Sequence, residues 1–173
     1  MTDKYIGFDI DSKKTVACVV AQSHKDQYTT LDTDLAQMRQ YLQEQRQDGS
    51  PVHLTFEISG EAGYRYDALR EYVDTLTVSN PNQMTWIFRT RKKNDRIDAR
   101  KQAVLLSIGE VPKVHIPCRQ VRQWRGAIQQ RRTQIQRIVS HKNRIRASLK
   151  AHGFPQPQER GSWWKAANVA WMK

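Results

Sequence analysis

Apolar and polar positions alternate from the first residues of the chain. In KYIGFDI, residues 4–10, Ile6, Phe8 and Ile10 fall on one face of an extended segment, and Tyr5, Gly7 and Asp9 on the other. TVACVVAQ (15–22) is rich in β-branched residues and reads as a second strand, joined to the first by the turn-like DSKK, so the pair predicts a hairpin. QYTTL (27–31) suits a third, edge strand. The period then lengthens. Residues 32–47 form an amphipathic helix with Leu35, Met38 and Leu42 inward and Asp32 or Thr33 as its cap. After DGSP breaks the chain, VHLTFEI (52–58) alternates again, with Val52, Leu54, Phe56 and Ile58 on one face and His53, Thr55 and Glu57 on the other. A glycine-bearing loop, SGEAG, leads into a helix over about 64–73. TLTVSNP is a short strand ended by Pro81, and MTWIF (84–88) is a further short apolar run.

The pattern changes at Arg89. RTRKKNDRIDARKQAVLLSIG is a basic loop running into a helix, for which Asn94 is a suitable cap. Pro112 and Pro117 punctuate its exit. From Arg119 to Leu149 there is no proline, and a heptad reading places Val121, Trp124, Ile128, Arg131, Ile135, Ile138, Lys142, Ile145 and Leu149 at a seam. Seven of those nine are apolar, which predicts a coiled-coil helix. GFPQPQERG is a linker, and SWWKAANVAWMK begins another helix. The predicted organisation is an α/β domain over 1–110, a basic coiled-coil helix over 118–151, and a linker with the start of a C-terminal helix over 152–173. The order of strands and helices is that of a ribonuclease H-like fold, a mixed sheet with flanking helices, although many α/β domains share parts of it.

Charge sharpens this division. Residues 1–86 carry 8 Lys/Arg and 13 Asp/Glu, a net of −5; residues 87–173 carry 21 and 4, a net of +17. An acidic globular half joined to a strongly basic one points to a polyanionic partner, nucleic acid above all. A membrane partner is not expected, because no stretch approaches the ~20 apolar residues of a spanning helix. The N-terminus reads as a polar lead into a strand rather than a secretory signal, so a cytoplasmic location is expected. Cys18 and Cys118 fit no metal spacing and read as reduced thiols.

The carboxylates on the apolar strands are the unusual feature. Asp9 and Glu57 each sit on the polar face of an otherwise apolar strand, near its C-terminal end, where open α/β sheets bind ligands. Asp95 and Asp98, at i and i+3, share one face of the first turn of a helix. Four carboxylates from three elements meeting at one place require cations, and Mg²⁺ or Mn²⁺ with all-oxygen ligands would supply them. Two such ions about 4 Å apart serve phosphoryl transfer. Taken singly, each has a plainer reading: Asp9 as a turn cap, Glu57 as a solvated strand end, Asp95 and Asp98 as complements to the helix N-terminus. Asp11 lies on the same face as Asp9 but closer to the turn, and is expected to be solvated. The loop residues Arg89, Arg91, Lys92, Lys93 and Arg96 flank Asp95 and suit a phosphate-gripping role. Arg122, Arg125, Arg132, Arg137, Arg144 and Arg146 lie on the outer face of the long helix, which offers no acidic residue to pair with them. They are expected to bind RNA or DNA.

YIGFDIDSKK, FEISG…GY and KNDRIDARKQAVLL together resemble the DEDD transposases of the IS110 insertion-sequence family, whose N-terminal domain looks like the Holliday-junction resolvase RuvC. The resemblance covers roughly residues 4–108, and K-x-D-x-x-D-A is its specific part. It implies a RuvC-like domain with the tetrad Asp9, Glu57, Asp95 and Asp98, and a Mg²⁺-dependent recombinase that cleaves and transfers DNA strands. It also implies a structured guide RNA, dimers or higher oligomers through the coiled coil, and a prokaryotic, nucleoid-associated setting. Family members continue into a domain bearing a catalytic serine. Ser162 lies in a linker and does not replace it, so the chain is expected to hold part of an active site and to be inactive alone. The alternatives are a RuvC-like junction endonuclease using the four carboxylates by themselves, or a non-catalytic module for nucleic-acid binding and dimerisation.

Overall fold

The computed structural model describes residues 2–22, 25–84, 94–154 and 163–171. The chain divides into two compact units, Met1–Arg119 and Gln120–Lys173. The first is built on a five-stranded sheet: β1 (Lys4–Ile10), β2 (Lys14–Ala21), β3 (Gln27–Asp32), β4 (Val52–Glu57) and β5 (Thr75–Ser79), in the order β3-β2-β1-β4-β5. β1, β2 and β3 form an antiparallel meander, while β4 and β5 run parallel to β1. This mixed sheet is consistent with a ribonuclease H-like fold. The edge of β5 is closed by the segment after Gly109: Ser79 bridges Lys113, and Val114 N–H donates to the Val78 carbonyl at 2.8 Å.

Alternation along the strands separates two faces. Ile6, Phe8, Leu54, Phe56 and Val78 turn toward α1 (Leu35–Gln45) and α2 (Ala62–Leu69) and form the main core with Met38, Tyr41, Leu42 and Leu69. Each of these large side chains, fully removed from water, contributes about 1.5–3 kcal/mol. The opposite face receives α4 (Asp95–Ser107), whose Ala99 and Ala103 pack on Val16 and Cys18. A four-residue helix, α3 (Pro81–Met84), follows β5.

Three local expectations need correcting. The cap of α1 is Asp34, not Asp32 or Thr33: its carboxylate accepts from the Ala36 and Gln37 N–H groups at 3.0 and 3.3 Å. Asp32 instead ends β3, and the Thr33 hydroxyl donates to the Asp11 carbonyl at 2.8 Å, tying the end of β3 to the β1–β2 turn. Ile58 lies beyond the end of β4 and is 40% exposed, because the chain turns before the alternation would bury it. The helix expected over 64–73 ends at Leu69 and tightens into a 3-10 turn over Arg70–Tyr72. All but the first residue of the MTWIF run lies outside the described residues.

The second unit is dominated by α5 (Arg119–Ala151), 33 residues long, with α6 (Ala166–Trp171) after it. No residue of α5 is buried, and Trp124, Ile128, Ile135, Ile138 and Ile145 of the heptad seam stand exposed. Lys142, which the heptad places at the seam, lies over the Trp164 ring, 5.3 Å from its centroid. Among the described residues no helix is long and apolar enough to cross a membrane.

The two thiols are unlike. Cys18 is buried under α4, and burial pushes its thiol up to about 11; Cys118 is exposed. Reaction depends on the thiolate. At pH 8 a disulfide reagent should therefore label one thiol quickly in the native protein and both in denaturant. Two fast equivalents under native conditions would show that the α4 face opens.

Candidate active site

Phe8 on β1 and Phe56 on β4 are partners across the parallel ladder. One residue further along each strand come Asp9 and Glu57, which therefore share the opposite face, the α4 face, on strands ~4.8 Å apart. Asp9 is half-buried and Glu57 exposed. Two carboxylates thus stand side by side where the parallel strands end.

What lets α4 seat on this face is Gly7. A Cβ at this position would lie 2.1 Å from the Ala99 carbonyl oxygen and 2.7 Å from the Ala103 nitrogen, so the backbone of α4 rests directly on β1. Only glycine permits that approach. The turn before Ala99 carries Asp95 and Asp98, capped by Asn94, whose side-chain oxygen accepts from the Arg96 N–H at 3.0 Å. Lys14, the first residue of β2, pins this turn: its ammonium donates to Asp95 Oδ2 at 2.6 Å. That contact places the N-terminus of α4 at the β1–β2 hairpin, the end of the sheet that holds Asp9. Asp95 raises the Lys14 pKa above the ordinary lysine value, and Asp11 and Asp9 add to the effect through space. Asp11 itself is exposed, as expected.

Asp98 has a different partner. Lys101, one turn along the same helix, donates to its Oδ1 at 3.0 Å, and the two side chains are only 18% and 25% exposed. Asp9 and Glu57 thus share the face on which α4 packs, and Asp95 is tied to the β1–β2 hairpin. Among the described residues no three acidic, histidine or cysteine side chains form a group that could hold a metal ion. Lys14 stands against Asp95 and Lys101 against Asp98. Sequence reasoning missed both. Lys14 was hidden in a turn-like tetrapeptide, and its partner is 81 residues away; Lys101 was legible in principle, as an i, i+3 partner of Asp98.

The basic residues fall into three groups. Arg89, Arg91, Lys92 and Lys93 lie outside the described residues. Arg96 is exposed and its guanidinium lies over the Tyr28 ring, 5.6 Å from the centroid. Arg122, Arg125, Arg132, Arg137, Arg144 and Arg146 are all on α5.

Residues 6–154 match the DEDD transposase family of IS110 elements, described as a transposase. The chain belongs to that family. The match begins in β1 and runs through α5, so it takes in the carboxylate-bearing sheet, α4 and the basic helix alike. A transposase is a DNA-cleaving or recombining enzyme. No curated protein matches the chain.

Proposed function

We propose that this IS110-family chain supplies the metal-binding carboxylates and a nucleic-acid-binding helix to a guide-RNA-directed DNA recombinase. The observation that carries the reading is the placement of Asp9 and Glu57 on adjacent parallel strands, with the acidic first turn of α4 over the same face. The chemistry of the donors supports this: all-oxygen, anionic ligands suit hard divalent ions such as Mg²⁺ or Mn²⁺. Asp9 and Glu57 would hold it from the strands, and Asp95 and Asp98 from α4. Bound there, divalent cations supply charge stabilisation and activation of oxygen nucleophiles for phosphoryl transfer.

The protein's own contribution is rigidity. Asp9 and Glu57 stand on strands locked by the Phe8–Phe56 ladder, and α4 is set against β1 by the Gly7 contact. The site faces away from the hydrophobic core, at the rim where a duplex can approach. The long helix α5 holds no acidic residue, so an anion is needed to offset its charge, and RNA or DNA phosphates fit. The exposed apolar seam of α5 fits a second copy of the same helix, giving a dimer. The setting consistent with these partners is the prokaryotic nucleoid.

Binding to structured RNA and to DNA should fall steeply with salt. Contact with ~6 phosphates gives a log–log slope of about −5. Replacing Arg132, Arg137 and Arg144 together should flatten that slope and weaken all sequences alike. Asp95→Asn with Asp98→Asn should leave binding intact or slightly stronger. A salt-independent affinity would rule out the phosphate-binding role of α5. Metal-dependent cleavage of branched DNA by this chain alone, abolished by Asp98→Ala, would favour the junction-endonuclease reading instead.

A further inference from the structure

We propose that Lys14 is an internal cation of the carboxylate site, holding Asp95 at the β1–β2 hairpin until a divalent ion displaces it. The inference rests on the metal-centre reading above.

Lys14 opens β2 and lies on the same face as Val16 and Cys18, the face that receives α4. Its ammonium is the link between two segments distant in sequence, the hairpin and the first turn of α4, through the 2.6 Å contact to Asp95 Oδ2. Asp9 and Asp11 act on the same charge from the end of β1. Lys14 therefore touches one carboxylate, Asp95, and answers to the charge of two others near the hairpin.

A divalent ion among the same oxygens would face this ammonium at short range, with twice the repulsion of two unit charges. One of the two must leave. Lys14 is the mobile one: its side chain is 52% exposed and sits on a flexible four-carbon stem, so it can swing into water at little cost. Lys101 differs. It is only 18% exposed and pairs with Asp98 one turn back along α4. Displacing Lys14 would transfer Asp95 from the hairpin to the metal, and would couple metal uptake to release of the β1–β2 turn from α4.

The test is Mn²⁺ titration of the full chain by calorimetry, with no reaction involved. Lys14→Met should bind Mn²⁺ about two- to fivefold more tightly, the scale of an exposed ion pair. Lys13→Met removes the same charge from the same turn and should move the affinity less. In an Asp95→Asn background the Lys14→Met effect should vanish. Unchanged or weaker binding by Lys14→Met, or an equal effect from Lys13→Met, overturns the assignment of Lys14. Two results overturn the metal-centre reading and this proposal with it: no saturable Mn²⁺ uptake by the wild type, or uptake that Asp9→Asn does not weaken.

Discussion

Asp9→Asn should lower DNA strand cleavage by the assembled transposase roughly a thousandfold, with DNA binding nearly unchanged. The substitution keeps size and hydrogen-bonding shape and removes one negative charge. Loss of a ligand from a site that stabilises transition-state charge costs several kcal/mol, and ~4 kcal/mol corresponds to a factor of about 10³. Glu57→Gln should act in the same direction, because Glu57 stands beside Asp9 on the neighbouring strand. Neither residue lies in the hydrophobic core, so thermal unfolding of both variants should stay close to the wild type. Cleavage rates at saturating Mg²⁺, measured beside a binding assay, separate the two effects. An Asp9→Asn protein that cleaves at the wild-type rate would remove Asp9 from the active site.

Gly7→Ala should be strongly destabilising. The added Cβ would meet the Ala99 carbonyl oxygen at 2.1 Å and the Ala103 nitrogen at 2.7 Å, and both are backbone atoms of α4 that cannot rotate aside. Ordinary contact begins about 1.3 Å further out, so the helix must lift or the strand must bend. Overpacking of this kind costs about 1–3 kcal/mol, and a backbone clash belongs at the upper end or above it. Urea unfolding should show the loss as a lower midpoint. Lifting α4 would also draw Asp95 and Asp98 away from Asp9, so metal affinity should drop with stability. Gly126→Ala is the contrast: nothing lies within 4 Å of its Cβ position, and it sits inside α5, so alanine should stabilise the helix by about 0.5–1 kcal/mol. If both variants unfold at the wild-type midpoint, the close seating of α4 on β1 is not real.

The sheet was legible because its strands obey simple alternation and its breaks are marked. Ile6 and Phe8, or Leu54 and Phe56, declare a buried face with no knowledge of a partner. Asn94 declares the start of α4 in the same way, since an asparagine before DRID is a local signal that needs only its own next residues. The α1 cap was placed at Asp32 or Thr33 rather than Asp34, because three consecutive polar residues are equally good caps until the β3–turn contact of Thr33 removes one of them. Ile58 was placed on the apolar face of β4 because alternation does not reveal where a strand stops.

For the site, the chain alone singled out four carboxylates and the elements on which they ride, since charge on an apolar strand and an i, i+3 acidic pair are one-dimensional patterns. It also determined the partition of charge between an acidic sheet and a basic helix. Only the tertiary structure decided how the carboxylates are held. Register across β1 and β4 set Asp9 beside Glu57. The missing side chain of Gly7 let α4 come close to β1, and Lys14, 81 residues from Asp95, became the cation against it. Those are long-range pairings, and a long-range pairing depends on which surfaces meet, which no local pattern of residues encodes.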